Sequence, residues 1–344
     1  MGIKPKAELW PYKYASMGIT WAAPMQWVAE ALQAEGFEVL RQGVFRCLGL
    51  ERLRKRDPVR DPAVDIAVYN HAFESELSGK VVPAGANWFF KPCGPTPEHT
   101  VLDTLGYGPH STAAFVRPAL ERLDARRVQA FWEQEVLRWR SERVTKWGGN
   151  FKTANDIPAK LPRSGYVLVL GQCDGDSVVT RMDFGSHVQK LKQVVAELRR
   201  LGERVVVKLH PYMDGMKPKD TKFSDGVARA LRVAGAEWVS ADWWSVHALL
   251  PGARVVVTGN SGAGVEALMW ERPVVAWGAP EWRWAAFDLR LLSQLQEALR
   301  LRWWDGGERG RRWLYWWSEG YCFRDAAGAL ARVKGLLAMG GRGR

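Results

Sequence analysis

Cysteine is scarce in this chain and never grouped. The 344 residues hold four, Cys47, Cys93, Cys173 and Cys322, each far from the next. That spacing offers neither a thiolate metal site nor a disulfide framework, and it predicts reduced thiols in a cytoplasmic setting. The six histidines are equally scattered, so neither a metal nor a cofactor is expected. No run of about 18 apolar residues occurs, which argues against a transmembrane segment. The opening residues MGIKPKAELWPYKY carry no apolar signal-peptide core. Two familiar nucleotide signatures are missing as well, because neither GxxxxGK nor GxGxxG is found.

Acidic residues are also in short supply. Lys and Arg total 49 against 37 Asp and Glu, a formal charge of +12. An excess of this size predicts an anionic partner: nucleic acid, an acidic glycan, or a membrane surface touched peripherally. The basic residues concentrate at 52–60 (RLRKRDPVR), 117–146 and 309–312 (RGRR), the last followed by WLYWW. There are 19 tryptophans. Beside arginine they either stack on bases and sugars or serve as ordinary core.

The pattern along the second half alternates. Strands are expected at 166–170, 204–208, 254–258 and 273–277, with helices at 188–201, 243–250 and 262–270. This βαβα rhythm predicts a parallel sheet covered by helices. The first half is less regular, with a helix at 24–35, strands at 37–40 and 65–69, and charged amphipathic helices across 117–143. The Gly-, Asn- and Pro-rich stretch 147–163 reads as a linker. Two α/β domains follow, residues 1–150 and 151–324. A terminal helix from 325 packs back on the first domain, and a basic tail ends the chain.

Ligands of open α/β sheets bind beyond the C-terminal ends of the strands. Three such ends carry residues unsuited to a core. After 166–170 comes GQCDGDS, where Asp174 and Asp176 either act on a sugar as base or nucleophile or simply stabilise a turn. After 204–208 come Lys208 and His210, two residues apart and so on one side of an extended chain. They either grip a phosphate and stabilise leaving-group charge, or the histidine bonds backbone. After 254–258 comes GNSGAGVEAL. Here Ser261 caps a helix start, Gly262 and Gly264 admit a ligand to its backbone, and Glu266 sits one turn in, within reach of ribose hydroxyls. A plain glycine turn is the other reading.

Together YVLVLGQCDGDSVV, VVVKLHP and VHALLPGARVVVTGNSGAGVEALMWERPVVAWG resemble the capsule polysaccharide biosynthesis family, which includes bacterial β-Kdo glycosyltransferases of GT-B architecture. The resemblance covers 166–278. It implies two Rossmann-type domains facing each other across a cleft, and a nucleotide-sugar donor that is CMP- or UDP-linked. It also implies Asp176 as the catalytic carboxylate, with Gln172, Lys208, His210, Ser261 and Glu266 at the donor. A fainter similarity over WFFKPCG and TVLDTLGY implies an acceptor side at Lys91, His99 and Asp103, with Lys91 where the family has an acid. Three functions follow as expectations. The first is a glycosyltransferase acting on a surface polysaccharide or its lipid-linked precursor. The second is a phage-type enzyme that glycosylates hydroxymethylated bases in DNA. The third is an inactive binding protein on the same scaffold.

Overall fold

The computed structural model describes residues 5–10, 22–41, 65–70, 86–92, 94–145, 161–174, 176–180, 186–210, 213, 223–240 and 245–340. The basic stretch 52–60, Cys47, Cys93, Pro211, most of the expected linker and the last four residues lie outside them. The chain forms two compact units, residues 1–115 with 317–344 and residues 116–316. Each holds its own sheet, so the α/β class expected from the sequence is present in both.

The first unit carries five strands: β1 (Lys6–Trp10), β2 (Glu38–Arg41), β3 (Ile66–Asn70), β4 (Ala86–Pro92) and β5 (Thr100–Asp103). Their order is β2-β1-β3-β4-β5. All neighbours are parallel except β5, which runs antiparallel to β4. Alternate residues, among them Ala7, Leu9, Ile66, Val68, Trp88, Phe90 and Leu102, share one core, as the period of two requires. Helix α1 (Ala22–Ala34) covers that face with Met25, Val28, Ala29 and Leu32, a helical stripe. It stops where Gly36 turns left-handed at φ 89°.

The chain returns to this unit at its end. Phe323 and Thr100 exchange two backbone hydrogen bonds of 2.9 Å. The last helix, α9 (Ala326–Gly340), packs against α1 with Ala329, Val333 and Leu336 in the same core. Between them, the buried Tyr321 hydroxyl donates to the carboxylate of Asp103. That carboxylate also accepts the backbone N–H groups of Leu105 at 2.7 Å, Gly106 at 3.1 Å and Thr112 at 3.1 Å, and the hydroxyl of Thr112. A buried carboxylate survives only when its oxygens are so occupied. Burial, and then the Asp103 charge, push the Tyr321 phenol well above its ordinary range.

The second unit carries six strands, all parallel, in the order β11-β10-β9-β6-β7-β8. They are β6 (Tyr166–Leu170), β7 (Val205–Lys208), β8 (Trp238–Ser240), β9 (Ala253–Thr258), β10 (Val274–Ala276) and β11 (Phe287–Asp288). The valine runs of β7 and β9 are buried without alternation, because helices cover both faces of a parallel sheet. Helix α4 (His187–Arg200) sets Leu191, Val194, Val195 and Leu198 on one face. Shorter helices are α3 (Ser177–Thr180), α6 (Val246–Leu249) and α7 (Ala263–Met269).

The expected boundaries at 150 and 324 move. Residues 116–145, read from the sequence as part of the first domain, belong to the second unit. Their helix, α2 at 125–141, is amphipathic and buries Val128, Phe131, Trp132, Val136 and Trp139. Phe131 meets the edge of Tyr315 at 5.6 Å. His247 closes the segment by donating from Nε2 to the carbonyl of Val144 at 2.9 Å, while Nδ1 accepts the Trp270 indole N–H at 2.8 Å. Amphipathicity announced a buried stripe but not which body would bury it.

We expect Tyr321→Phe to lower the unfolding free energy by about 1–3 kcal/mol, the cost of leaving a buried carboxylate one donor short. Denaturant titration of wild type and variant measures it. An unchanged midpoint would show that Asp103 does not depend on this hydroxyl.

Candidate active site at the edge of the second sheet

Register lines up the strand ends. Lys208 lies opposite Leu170, Leu170 opposite Thr258, and Thr258 opposite Ala276. The loops after β7, β6, β9 and β10 therefore leave the sheet in one row, and the motif residues predicted at strand ends come out side by side. A shallow depression lined by Leu201, Glu203, Arg254 and Arg300 lies at the opposite edge, where strands begin, and holds none of them.

The β6 and β9 loops are joined by a reciprocal amide pair. Gln172 Nε2 donates to Asn260 Oδ1 at 2.6 Å, and the Asn260 backbone N–H donates to Gln172 Oε1 at 2.9 Å. Both residues are buried. Between the loops lies Gly259, where an added Cβ would stand 2.8 Å from Gln172 Oε1 and 3.3 Å from the His187 ring. That close approach is why glycine is present. The backbone N–H of Gln172 donates to His187 Nε2 at 3.0 Å. The ring therefore carries its proton on Nδ1 and is neutral. Burial holds its pKa down at about 4, against a small opposing pull from Asp174. It stacks on Trp277 at 5.7 Å.

The two acids of the β6 loop part company. Asp174 accepts the Val188 N–H and the Ser186 hydroxyl, each at 3.2 Å, and so caps the start of α4. Both oxygens of Asp174, expected from the sequence to be catalytic, are thus turned to a helix end. Asp176 accepts the Val178 N–H at 3.1 Å through Oδ1, capping α3, while among the described residues Oδ2 has no partner. It is half-buried. Cys173, between them in the chain, is buried, and burial followed by the two aspartates pushes its thiol up to about 12, so it is no nucleophile.

Lys208 ends β7 half-buried. Burial draws its pKa down to about 8, partly offset by the negative charge of Glu266, which is itself buried in α7. His210 leaves the strand half-buried, and its carbonyl accepts the Met213 N–H at 3.1 Å. Ser261 opens α7 as expected, with Oγ accepting the Ala263 N–H at 3.3 Å and its carbonyl the Gly264 N–H at 2.9 Å. Gly262 is half-buried beside it. Gly264 corrects the sequence reading. A Cβ there would collide with the fully buried indole of Trp282, so packing and not ligand access explains this glycine.

The expected acceptor-side residues lie in the first unit and serve different ends. Lys91 sets its ammonium 3.6 Å over the ring of Tyr107. His99 is completely buried, with Nδ1 2.7 Å from Thr96 Oγ1, and burial with Arg324 nearby drags its pKa to about 3. Gly94 is glycine because a side chain would strike His99. The oxygens of Asp103 are occupied by the loop after β5 and by Tyr321, as described above. His99 and Asp103 share one condition: a buried ionisable group must be neutral or fully bonded.

Sequence reasoning did not assign Asn260, His187 or Gly259. Asn260 stood in the quoted NS motif. His187 gave no local signal, since it lies 15 residues from the loop it supports.

His99, His187 and His247 are all held below the ordinary histidine value of 6.5, His247 at about 4 through burial. The unfolded chain therefore takes up protons first as pH falls. Their contribution is complete above pH 6.5 and is lost as pH descends toward 4, at about 1.4 kcal/mol per unit of depression. Melting temperature should fall steeply between pH 6.5 and 4. A flat profile over that interval would mean the rings are accessible and charged in the native state.

Residues 126–296 match the family described as capsule polysaccharide biosynthesis protein. No curated protein is similar to the chain. Among solved structures it is similar to the β-Kdo 2,4 transferase of Thermosulfurimonas dismutans KpsC, at 14% identity and TM-score 0.49 over 90% of this chain and 89% of that one. It is similar also to the β-Kdo 2,7 transferase of the same KpsC, at 11% identity and TM-score 0.49 over 97% and 100%. A glycosyltransferase from Rickettsia africae follows at 9% identity and TM-score 0.40 over 97% of each. The matched family span holds every loop of the row described above, and over those residues the chain is similar to the capsule polysaccharide biosynthesis protein family.

Proposed function

We propose that the protein is a glycosyltransferase that moves a sugar from a nucleotide-activated donor to a hydroxyl of a capsule-type polysaccharide or its lipid-linked precursor. The observation that carries this reading is the row of strand ends that sets Lys208, the β6 loop with Asp176, and the Ser261 turn along one edge of a parallel sheet. A CMP- or UDP-linked donor brings phosphate to that edge. Lys208, with His210 beside it, supplies positive charge to the phosphate, and the charge gains value as the bond to the sugar breaks and the phosphate leaves. Lys208 is poorly solvated, which strengthens its attraction for an anion. Glu266 keeps it oriented and is read here as the ribose partner. Ser261 and Gly262 contribute polar backbone at the helix start. The free oxygen of Asp176 faces the remaining task, stabilising or attacking the anomeric carbon.

Among the described residues of the second unit, the basic stretch and its neighbouring tryptophans do not favour DNA as acceptor. That stretch, 309–312, is engaged internally: Arg309 pairs with Asp305 at 3.6 Å, Arg311 with Glu271, and Arg312 with Glu308 at 2.6 Å. The adjacent Trp313 and Trp317 are completely buried and offer no stacking platform.

Two measurements test the reading. In thermal unfolding, a cytidine or uridine nucleotide at about 100 times its Kd should stabilise the protein by about 2.7 kcal/mol, and Lys208→Ala should abolish the shift. Because the lysine loses its charge above about 8, kcat/KM for donor should fall as pH rises through that value, and Lys208→Arg should carry the fall to higher pH. Asp176→Asn should retain nucleotide binding while turnover drops about 100- to 10,000-fold. Intact turnover in that variant removes Asp176 from the chemistry.

A further inference from the structure

The amide pair beneath the site does more than close two loops. Asn260 uses its remaining donor, Nδ2, on the carbonyl of Val178 at 2.9 Å. Val178 is the residue whose N–H is held by Asp176 Oδ1 at 3.1 Å. The turn is drawn tighter by the Asp176 N–H on the Cys173 carbonyl at 3.0 Å and the Val179 N–H on the Asp176 carbonyl at 2.9 Å. So a buried side chain from the β9 loop holds the carbonyl of the same residue whose N–H holds the carboxylate. Its own place is fixed by Gln172, and Gln172 is fixed in turn by His187 at the head of α4. The stretch 172–187 and the remote Asn260 thus converge on the aim of one carboxylate.

We infer that Asn260 is a positioning residue that sets the direction of Asp176 through the Val178 peptide, with Gln172 and His187 as its anchor. The inference rests on the proposed transferase reading for its effect on turnover, but not for its geometry. The Asn260 side chain is buried and bonded to Gln172 and Val178. α3 is a single turn and cannot hold itself in water, because helix nucleation costs more than one hydrogen bond returns. Without the Nδ2 bond the carboxylate loses its fixed bearing while the phosphate-binding groups at Lys208 and Ser261 stay where β7 and β9 leave them. An aspartate at 260 keeps an acceptor for Gln172 Nε2 but sets an oxygen against the Val178 carbonyl, so it should fail as alanine does.

The test uses the full chain with Asn260→Ala and Asn260→Asp, reading turnover, nucleotide affinity and amide exchange. A displacement of about 1 Å at a reacting group costs about 100-fold, so kcat should fall by that order while nucleotide Kd stays within about threefold. The amides of Val178 and Val179 should exchange faster, and those of α4 should not. Unchanged exchange at Val178, or faster exchange throughout the unit, overturns the inference. So does a loss in which kcat and affinity fall together. If the wild-type chain binds no nucleotide, the transferase reading fails, and the exchange pattern still decides whether Asn260 holds the Asp176 turn.

Discussion

A parallel sheet finishes all its strands on the same side, and the backbone leaving it must find new partners at once. Everything at the candidate site follows from that constraint. In the second unit the loop after β6 meets the loop after β9, and neither can be a mere connection, because both are buried. The Gln172–Asn260 pair meets the demand with two reciprocal hydrogen bonds, and a neutral His187 takes the leftover N–H of Gln172. Glycines at 171 and 259 are required by the same crowding: a Cβ on Gly171 would lie 2.9 Å from Leu209. Lys208 and Asp176, both half-buried beside this frame, are the groups proposed for a ligand.

The same rule explains how other acids and histidines of this protein are held. Asp103, Asp174, His99 and His247 each have the residue type that chemistry favours. In each case the surroundings already engage the polar atoms or exclude their charge. A low dielectric makes an unpaired polar group costly, so occupied groups of this kind define a unique packing more than they provide reactivity. Asp103 is the extreme case, tying the returning C-terminal segment to the antiparallel edge strand through Tyr321.

Many arginines of the second unit have local companions. Arg138 pairs with Glu135 and Glu142, Arg200 with Glu197, Arg254 with Glu203, and both Arg199 and Arg204 with Glu237. Exposed pairs of this kind contribute little to stability, about 0–1 kcal/mol each.

Four strands of the second unit were legible in the sequence, while β8 and β11 were not expected. β6 runs over the predicted 166–170, and β7, β9 and β10 differ from expectation by a residue at one end or both. Continuous valine runs bounded by glycine leave little choice of conformation, and the parallel class followed from the helices between them. The turn residues after each strand likewise announced Asp176, Lys208, His210 and Ser261, because such types have no place in a core. What the chain alone did not determine is which of two aspartates two residues apart would cap a distant helix, that Gly264 makes room for an indole 18 residues on, that residues 116–145 would be buried by the second unit, or that His187 would reach back to Gln172. Those outcomes depend on contacts between segments remote in sequence. Local propensity carries no information about them, and only the packing of buried polar groups against whatever the fold brings near them could decide.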